Sequence, residues 1–119
     1  MQEEEEVRAA QDTATPEQLR RQLVFSIIKS LEQVPMPLLE ATALVLKKGQ
    51  DYNSEVGRAS YFPFGMQSYV HMIHTKTQRL VNLVKSGRAP NFEGIRDTLL
   101  DLINYSSFTV EAIDSGEVK

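Results

Sequence analysis

The net negative charge and the absence of cysteine exclude several classes of protein for this chain of 119 residues. A formal net charge of −3 argues against a protein that coats DNA or RNA, because such affinity depends on many phosphate contacts; the lack of thiols excludes disulfides, zinc–thiolate sites and cysteine nucleophiles. No apolar run reaches the length of about 18 residues that a membrane span needs, and the acidic start is unlike a secretory signal, so we expect a cytoplasmic protein of one domain.

The first predicted helix covers residues 16–34. Residues 1–14 begin with a run of glutamates and show no apolar periodicity, so we expect them to form a solvated acidic tail. Thr15, Pro16 and Gln18 then form the pattern of a helix start, with a capping threonine, a proline at the first position and a glutamine that completes a capping box. Apolar residues follow at helical spacing: Leu19, Leu23, Ile27, Leu31 and Val34.

A second helix is predicted to begin near Leu38, because Pro35 and Pro37 interrupt the first. It is predicted to end at Lys47–Lys48–Gly49, where two cations precede a glycine, as is typical of a helix C-terminus. Residues 50–65 form a long aromatic-rich loop without periodicity. Loops of this length are uncommon in compact domains and often functional. Its aromatic side chains are equally compatible with plugging the core and with stacking on a base.

Two further helices are predicted, over about residues 66–86 and about 92–113. The third ends at Gly87 and carries its apolar residues on one side: Tyr69, Ile73, Leu80, Leu83 and Val84. The fourth starts after Asn91, a suitable cap, and its stripe facing the core is predicted to contain Ile95, Leu99, Leu102 and Ser106. No strand-like alternation occurs. We therefore predict an all-α fold of four helices, with one domain over residues 15–114 and a tail at 115–119.

Lys76 is the unusual residue of the third helix. Since a helix turns by about 100° per residue, Lys76 falls within the arc of apolar side chains rather than opposite it. A lysine on that side must reach solvent or pair with an anion. Arg79 lies one turn further along. These two cations could form ion pairs with carboxylates of the fourth helix, or they could contact phosphate.

A column of acidic and amide side chains runs along the fourth helix. Glu93, Asp97 and Asp101 are four residues apart and Asn104 follows three residues later, spacings that stack side chains on one face. This face lies opposite the predicted core stripe, so exposure to solvent is one interpretation. Because the helix is apolar on nearly every other side, burial against cations or a metal is the second interpretation. Stacked carboxylates would supply the oxygen ligands that Mg²⁺ prefers.

Packing of the last two helices follows from their short connection and opposite charges. We expect them to pack antiparallel, which would bring Lys76 and Arg79 near Asp97 and Asp101. The fourth helix is too apolar to be exposed on so small a monomer, so we also expect a homo-oligomer.

Three segments resemble the motifs of a known family. Lys48–Gly49–Gln50–Asp51–Tyr52 resembles the KKxxDY element of the nucleotide-modification-associated domain, a group of small helical proteins common in bacteriophages. Residues 76–83 resemble its KxxRLxxL helix, and residues 93–105 resemble its ExIxDTLLDLxNY signature, which is the most specific of the three. The resemblance covers roughly residues 40–110.

That family is similar to the all-α MazG-type nucleotide pyrophosphohydrolases, in which an ExxE pair and an ExxD pair hold Mg²⁺. The resemblance implies a MazG-like helical fold and nucleotide binding. This chain departs from the catalytic pattern, because Glu40 has no ExxE partner and the acidic residues of the fourth helix are four apart. Binding without hydrolysis is therefore the leading interpretation. A Mg²⁺-dependent pyrophosphohydrolase that acts on a modified nucleotide, and a structural helical oligomer with internal ion pairs, are the alternatives.

The candidate ligand-binding residues combine the motifs with the two charged faces: Lys48, Asp51, Tyr52, Arg58, Lys76, Arg79, Asp97, Asp101, Asn104 and Tyr105. Residues 57–65 lie outside the general motifs and could form a ligand-specific lid. If the hydrolase interpretation holds, Glu93, Asp97 and Asp101 bind Mg²⁺; otherwise we expect no cofactor. The expected ligand is a nucleotide or cyclic nucleotide, which a phage protein would sequester in the host cytoplasm to counter host defence.

Overall fold

The computed structural model describes residues 2, 4, 13–52, 58–86 and 92–118, and gives only the backbone of residues 49–52, 58–59 and 92–93. The elements with defined bounds are four α-helices: α1 (Pro16–Lys29), α2 (Met36–Tyr52), α3 (Met66–Lys85) and α4 (Phe92–Asp114). Short 3₁₀ helices cover Leu31–Gln33 and Arg58–Tyr61. The described residues contain no strand, so the predicted all-α class is confirmed. Most of the predicted tail at residues 1–14 lies outside the described residues.

The chain divides into two units, residues 1–35 and 36–119. In the first unit, α1 begins with the predicted capping box: Gln18 N donates to Thr15 Oγ1 at 3.1 Å, and Thr15 N donates to Gln18 Oε1 at 3.0 Å. The helix ends at Lys29, so the predicted end at residue 34 was wrong. Val34 is extended, as a residue before proline prefers, and the preceding turn tightens to a 3₁₀ helix. No residue of α1 is buried.

In the second unit, α2 continues past its predicted end. It runs through Gly49 to Tyr52. A glycine ends a helix where the chain turns to a left-handed conformation, and the chain stays helical at Gly49. Among the described glycines, only Gly65 and Gly116 have a positive φ. A helical glycine costs about 1 kcal/mol relative to alanine, which the rest of a long helix can offset. The segment between α2 and α3 is therefore shorter than predicted.

Helices α3 and α4 pack antiparallel, as predicted. Tyr69, near the start of α3, donates a hydrogen bond to Glu117, which follows the end of α4. Further along α3, Lys76 pairs with Asp101 at 3.0 Å, so residue numbers rise along one helix as they fall along the other. The core beside them contains Phe62, Tyr69, Phe108, Ala112 and Val118. Val118 belongs to the segment expected to form a tail.

The predicted core stripe of α4 was wrong. Leu99 is 46% exposed and Ser106 is exposed, whereas the buried residues of the helix are Thr98, Leu100, Phe108 and Ala112. Helix α4 packs against both α2 and α3, so its buried positions cover a wide arc. Because the helix is apolar nearly all round, periodicity could not show which side faces inward. Within the described residues, no helix has both the length and the apolar character needed to cross a membrane.

Candidate functional site

A shallow recess that encloses about 30 Å³ lies between α2 and α4 and opens to solvent. Its lining comes from one face of each helix: Val45 and Lys48 from α2, and Asp101, Asn104, Tyr105 and Phe108 from α4. Side chains three, four or seven residues apart point to the same side of a helix, so each helix supplies its lining as one continuous face. Four of the predicted ligand-binding residues therefore line the same recess.

Aromatic side chains form the apolar part of the recess. Phe108 is only 8% exposed. Tyr105 meets it edge to face, with ring centroids 6.0 Å apart and an interplanar angle of 84°. Tyr105 also meets Phe62 edge to face at 6.4 Å. Such edge-to-face pairs restrain the position of a ring, so Tyr105 is held at the recess from two directions.

Phe62 decides between the two interpretations of the aromatic segment before α3. It is 5% exposed and stacks on Tyr69 with ring centroids 4.2 Å apart and an interplanar angle of 11°. Tyr61 and Phe64, its neighbours, are 55% and 76% exposed. Phe62 is therefore a core plug that supports Tyr105 from behind. The role of residues 57–65 as a ligand-specific lid stays a prediction.

Lys76 of α3 pairs with one residue of the recess lining, Asp101. Its Nζ lies 3.0 Å from Oδ2 of Asp101, and the two side chains are 23% and 32% exposed. The expectation that Lys76 lies near Asp101 is confirmed, and of the two interpretations of this lysine the structure shows the ion pair. Partial burial raises the strength of such a pair above that of an exposed one, and it also makes the loss of either partner more costly. Asp101 is therefore anchored in one orientation.

The charge balance of the recess favours an anion. Lys48 is exposed at the mouth and makes no ion pair with any described residue. Lys76 is neutralised by Asp101, so one positive charge remains uncompensated among the described side chains around the recess. Asn104 adds a neutral amide that can both donate and accept hydrogen bonds. This combination suits a ligand with a negative group and a polar, hydrogen-bonding ring.

A second ion pair, which spacing alone did not predict, joins the two helices that line the recess. Arg96 Nη2 of α4 lies 2.6 Å from Glu40 Oε1 of α2, with 53% and 38% of the side chains exposed. The hydrogen bond from Arg96 lowers the pKa of the Glu40 carboxyl, and Glu40 in turn raises the pKa of Arg96. The two residues are 56 positions apart. The only signal in the sequence was their opposite charge on separate helices.

Other predicted residues do not join this group. Arg79 and Asp97 are exposed, and neither makes an ion pair within the described part of the chain, although both were expected beside Lys76 and Asp101. Their role in ligand binding stays a prediction. Several further candidates lie outside the side chains that the structure describes: Asp51, Tyr52, Arg58 and Glu93.

The described donors fit an anion better than Mg²⁺. Among the described residues, no three histidine, aspartate or glutamate side chains lie close enough together to hold a metal. Of the predicted metal ligands, the side chains of Asp97 and Asp101 are described, and Asp101 already holds the ammonium group of Lys76. A divalent cation would have to displace that ammonium group. We therefore derive no step through a metal.

A family comparison covers the α4 side of the recess and, on the α2 side, Lys48. The family profile described as nucleotide modification associated domain 1 matches residues 48–112, more than half of the 119-residue chain. The match starts at Lys48 and includes Lys76, Asp101, Asn104 and Tyr105. No curated protein and no solved structure matches the chain. Since the profile spans most of the helical unit that carries the recess, the chain belongs to the family of nucleotide modification associated domain 1.

Proposed function

We propose that the protein binds a nucleotide in the recess between α2 and α4. One observation supports this proposal: two motif segments that are far apart in the sequence line the same recess, the first through Lys48 and the third through Asp101, Asn104 and Tyr105. The second segment contacts this lining through the ion pair of Lys76 with Asp101. A merely structural ion pair would explain Lys76 and Asp101 but would give no reason for Lys48 and Asn104 to line the same opening.

The chemistry of the lining suggests how a nucleotide would lie. The ammonium group of Lys48 at the mouth suits phosphate oxygens. The ring of Tyr105 and the amide of Asn104 offer stacking and hydrogen bonds to a base. The recess encloses only about 30 Å³ and opens to solvent, far less than the about 300–1,000 Å³ that is usual for ligand pockets, so it suits contact with one edge of a nucleotide. A larger ligand would extend into solvent.

Within this proposal, the protein holds its ligand intact. Two carboxylates of the helices that line the recess are already engaged by cations: Asp101 by Lys76 and Glu40 by Arg96. Neither is therefore free to activate water or to hold a metal without breaking an ion pair. Together with the resemblance to small phage proteins, this supports sequestration of a cyclic or modified nucleotide that signals host defence. The family description associates the domain with nucleotide modification, which is consistent with a nucleotide ligand.

A retention experiment tests the proposal directly. The purified protein is incubated with a panel of linear, cyclic and modified nucleotides, with and without Mg²⁺. Unbound ligand is removed, the protein is denatured by heat, and the released compounds are identified by mass spectrometry. Recovery of an intact nucleotide supports binding and sequestration. Release of a monophosphate that depends on Mg²⁺ would instead indicate a pyrophosphohydrolase, and no retention of any nucleotide would contradict the proposal.

Substitution of Lys48 tests the position of the phosphate. We expect Lys48→Ala to weaken binding of the retained nucleotide roughly 10- to 150-fold, which corresponds to the loss of about 1.5–3 kcal/mol from one charged hydrogen bond. Calorimetric titration measures the change. Lys47→Ala is the matched control, because it removes the same charge from an adjacent, exposed position that does not line the recess. Equal weakening by the two variants would contradict a specific contact.

A further inference from the structure

Helix α4 carries an apolar stripe on the side that faces away from the recess. We define the outer stripe as Leu99, Leu102, Ile103, Ser106, Val110 and Ile113. At about 100° per residue, these positions fall within an arc of about 120°, roughly opposite Asp101, Tyr105 and Phe108. The outer stripe contains no charged residue. Its most accessible members are Leu99, Val110 and Ile113, which are 46%, 55% and 52% exposed.

Exposure of this stripe to water is unfavourable. Apolar surface contributes about 25 cal/mol per Å² when it is removed from water, and monomeric proteins rarely expose large contiguous apolar patches. A helix that is apolar on nearly all sides is usually buried or lies at an interface. In this protein, the side of α4 that contains Phe108 and Ala112 is buried in the core. Within the described part of the chain, Leu99, Val110 and Ile113 of the outer stripe are exposed.

We propose that the outer stripe is a homodimer interface, in which α4 packs antiparallel against α4 of a second copy about a two-fold axis at Ser106. The stripe is nearly symmetric about this residue. Leu99 and Ile113 lie seven positions to either side, and Leu102 and Val110 lie four positions to either side. The two-fold pairing therefore sets Leu99 against Ile113 of the second copy and Leu102 against its Val110. Such an interface is isologous, with one surface meeting itself.

Charges at the edge of the stripe favour the same arrangement. Arg96 and Asp114 lie on the same edge of α4, because their separation of 18 positions makes five full turns at 3.6 residues per turn. With the two-fold axis at Ser106, Asp114 of one copy lies level with position 98 of the other. The heights of Arg96 and this Asp114 along the helix axis therefore differ by about 3 Å. The side chain of Arg96 is 53% exposed and uses Nη2 for Glu40, and a guanidinium has five donors. Two symmetric Arg96–Asp114 pairs would therefore flank the apolar contact.

The small side chain of Ser106 fits the position on the axis. Where two helices approach most closely, a small residue lets the backbones come together, and larger residues on either side then fill the space. The competing occupant is the apolar side of α1, where Leu23 and Ile27 are each 43% exposed. A cover from α1 of the same chain would not require the outer stripe to be symmetric about one residue. The self-complementary pattern of the outer stripe therefore favours a second copy.

A cysteine at the axis tests the proposal, because the chain has no cysteine of its own. In the proposed dimer, residue 106 of each copy faces the other, so Ser106→Cys should form a disulfide-linked dimer on mild oxidation. The product would run at twice the chain mass of 13.5 kDa on a non-reducing gel. Ser107→Cys is the control, because it lies about 100° further round the helix. Cross-linking of Ser106→Cys no faster than Ser107→Cys would overturn the proposal.

A second variant tests the apolar contact without a cross-link. We expect light scattering to give a dimer for the unaltered protein and a mass of 13.5 kDa for Val110→Glu, with the helical circular dichroism unchanged. The stripe faces away from the recess, so nucleotide retention by Val110→Glu reports separately on the proposed function. A monomeric unaltered protein, as expected if α1 of the same chain covers the stripe, would overturn the dimer and leave nucleotide binding untouched.

Discussion

Asp101 of α4 pairs with a side chain of α3 and lines the recess together with a side chain of α2. Its carboxylate holds Lys76 of α3 at 3.0 Å, and it lines the recess together with Asn104 of its own helix and Lys48 of α2. Its negative charge reduces the attraction of this site for anions. Because Asp101 neutralises Lys76, Lys76 would bind a phosphate group strongly only if its ion pair with Asp101 weakened.

Asp101→Asn separates this role from metal binding. Because the substitution leaves Lys76 without its counter-charge, we expect nucleotide affinity to rise about three- to tenfold, equivalent to about 0.6–1.4 kcal/mol, with no dependence on Mg²⁺. The loss of the partner should also lower the free energy of unfolding by about 1–3 kcal/mol. Calorimetric titration with and without a chelator measures the affinity, and urea unfolding measures the stability.

Asp97→Asn is the control for this experiment. It removes one negative charge a turn earlier on α4, from an exposed position that makes no ion pair with a described residue. We expect little change in affinity, because Asp97 does not line the recess; a clear loss of affinity would instead support the predicted role of Asp97 in ligand binding. If both substitutions abolished binding, and Mg²⁺ were required before substitution, the two carboxylates would be metal ligands and the anion site would be wrong.

At the scale of elements, the segment before α3 connects α3 to α4 through the side chain of Phe62. Phe62 stacks on Tyr69 of α3 and meets Tyr105 of α4 edge to face. From the other end of the chain, Glu117 accepts the hydrogen bond of Tyr69, and Val118 packs in the same core. The Phe62 ring therefore packs against both α3 and α4, and it restrains Tyr105 at the recess.

Phe62→Ala tests how much the packing of this ring stabilises the protein. We expect the free energy of unfolding to fall by about 3–5 kcal/mol, as for other buried aromatic residues that are truncated to alanine. Phe64→Ala removes the same ring two residues later, where it is 76% exposed, and should change stability by less than about 0.5 kcal/mol. Urea unfolding followed by circular dichroism measures both. Similar losses in the two variants would show that Phe62 is not a core residue.

At the scale of the whole molecule, the Arg96–Glu40 pair couples stability to pH. It joins α2 to α4 across the unit that carries the recess. The hydrogen bond from Arg96 lowers the pKa of Glu40 below its ordinary value of 4.5 in the folded state. A carboxyl with a lowered folded pKa stabilises the protein above its unfolded pKa, and that contribution disappears as pH falls through the folded pKa.

Glu40→Gln should therefore destabilise the protein at neutral pH and have little effect in acid. We expect the difference in unfolding free energy from the unaltered protein to shrink as pH falls below 4.5, and to shrink with added salt because the pair is largely exposed. Urea unfolding at several pH values measures it. Glu17→Gln is the control, since its partner Arg21 lies on the same helix. A difference that grew toward acid pH would contradict the sign of the shift.

The sequence by itself determined those features that depend on neighbouring residues. The capping box at Thr15, the bounds of α3, the all-helical class and the proximity of Lys76 to a carboxylate of the fourth helix were all predictable. Each follows from short-range spacing: a cap acts over three residues, and an apolar arc shows within a few turns. The family signature in residues 93–105 was readable for the same reason, since it is continuous along one helix.

Only the tertiary structure decided which side of α4 faces inward, where Phe62 packs, and that Glu40 meets Arg96. An amphipathic helix reveals its buried face by periodicity, but α4 is apolar on nearly all sides, so its sequence is compatible with several orientations. The Glu40–Arg96 contact spans 56 positions, and opposite charges on two helices do not show which pairs meet. The recess exists because α2 and α3 both pack against α4, and that packing is a property of the assembled helices.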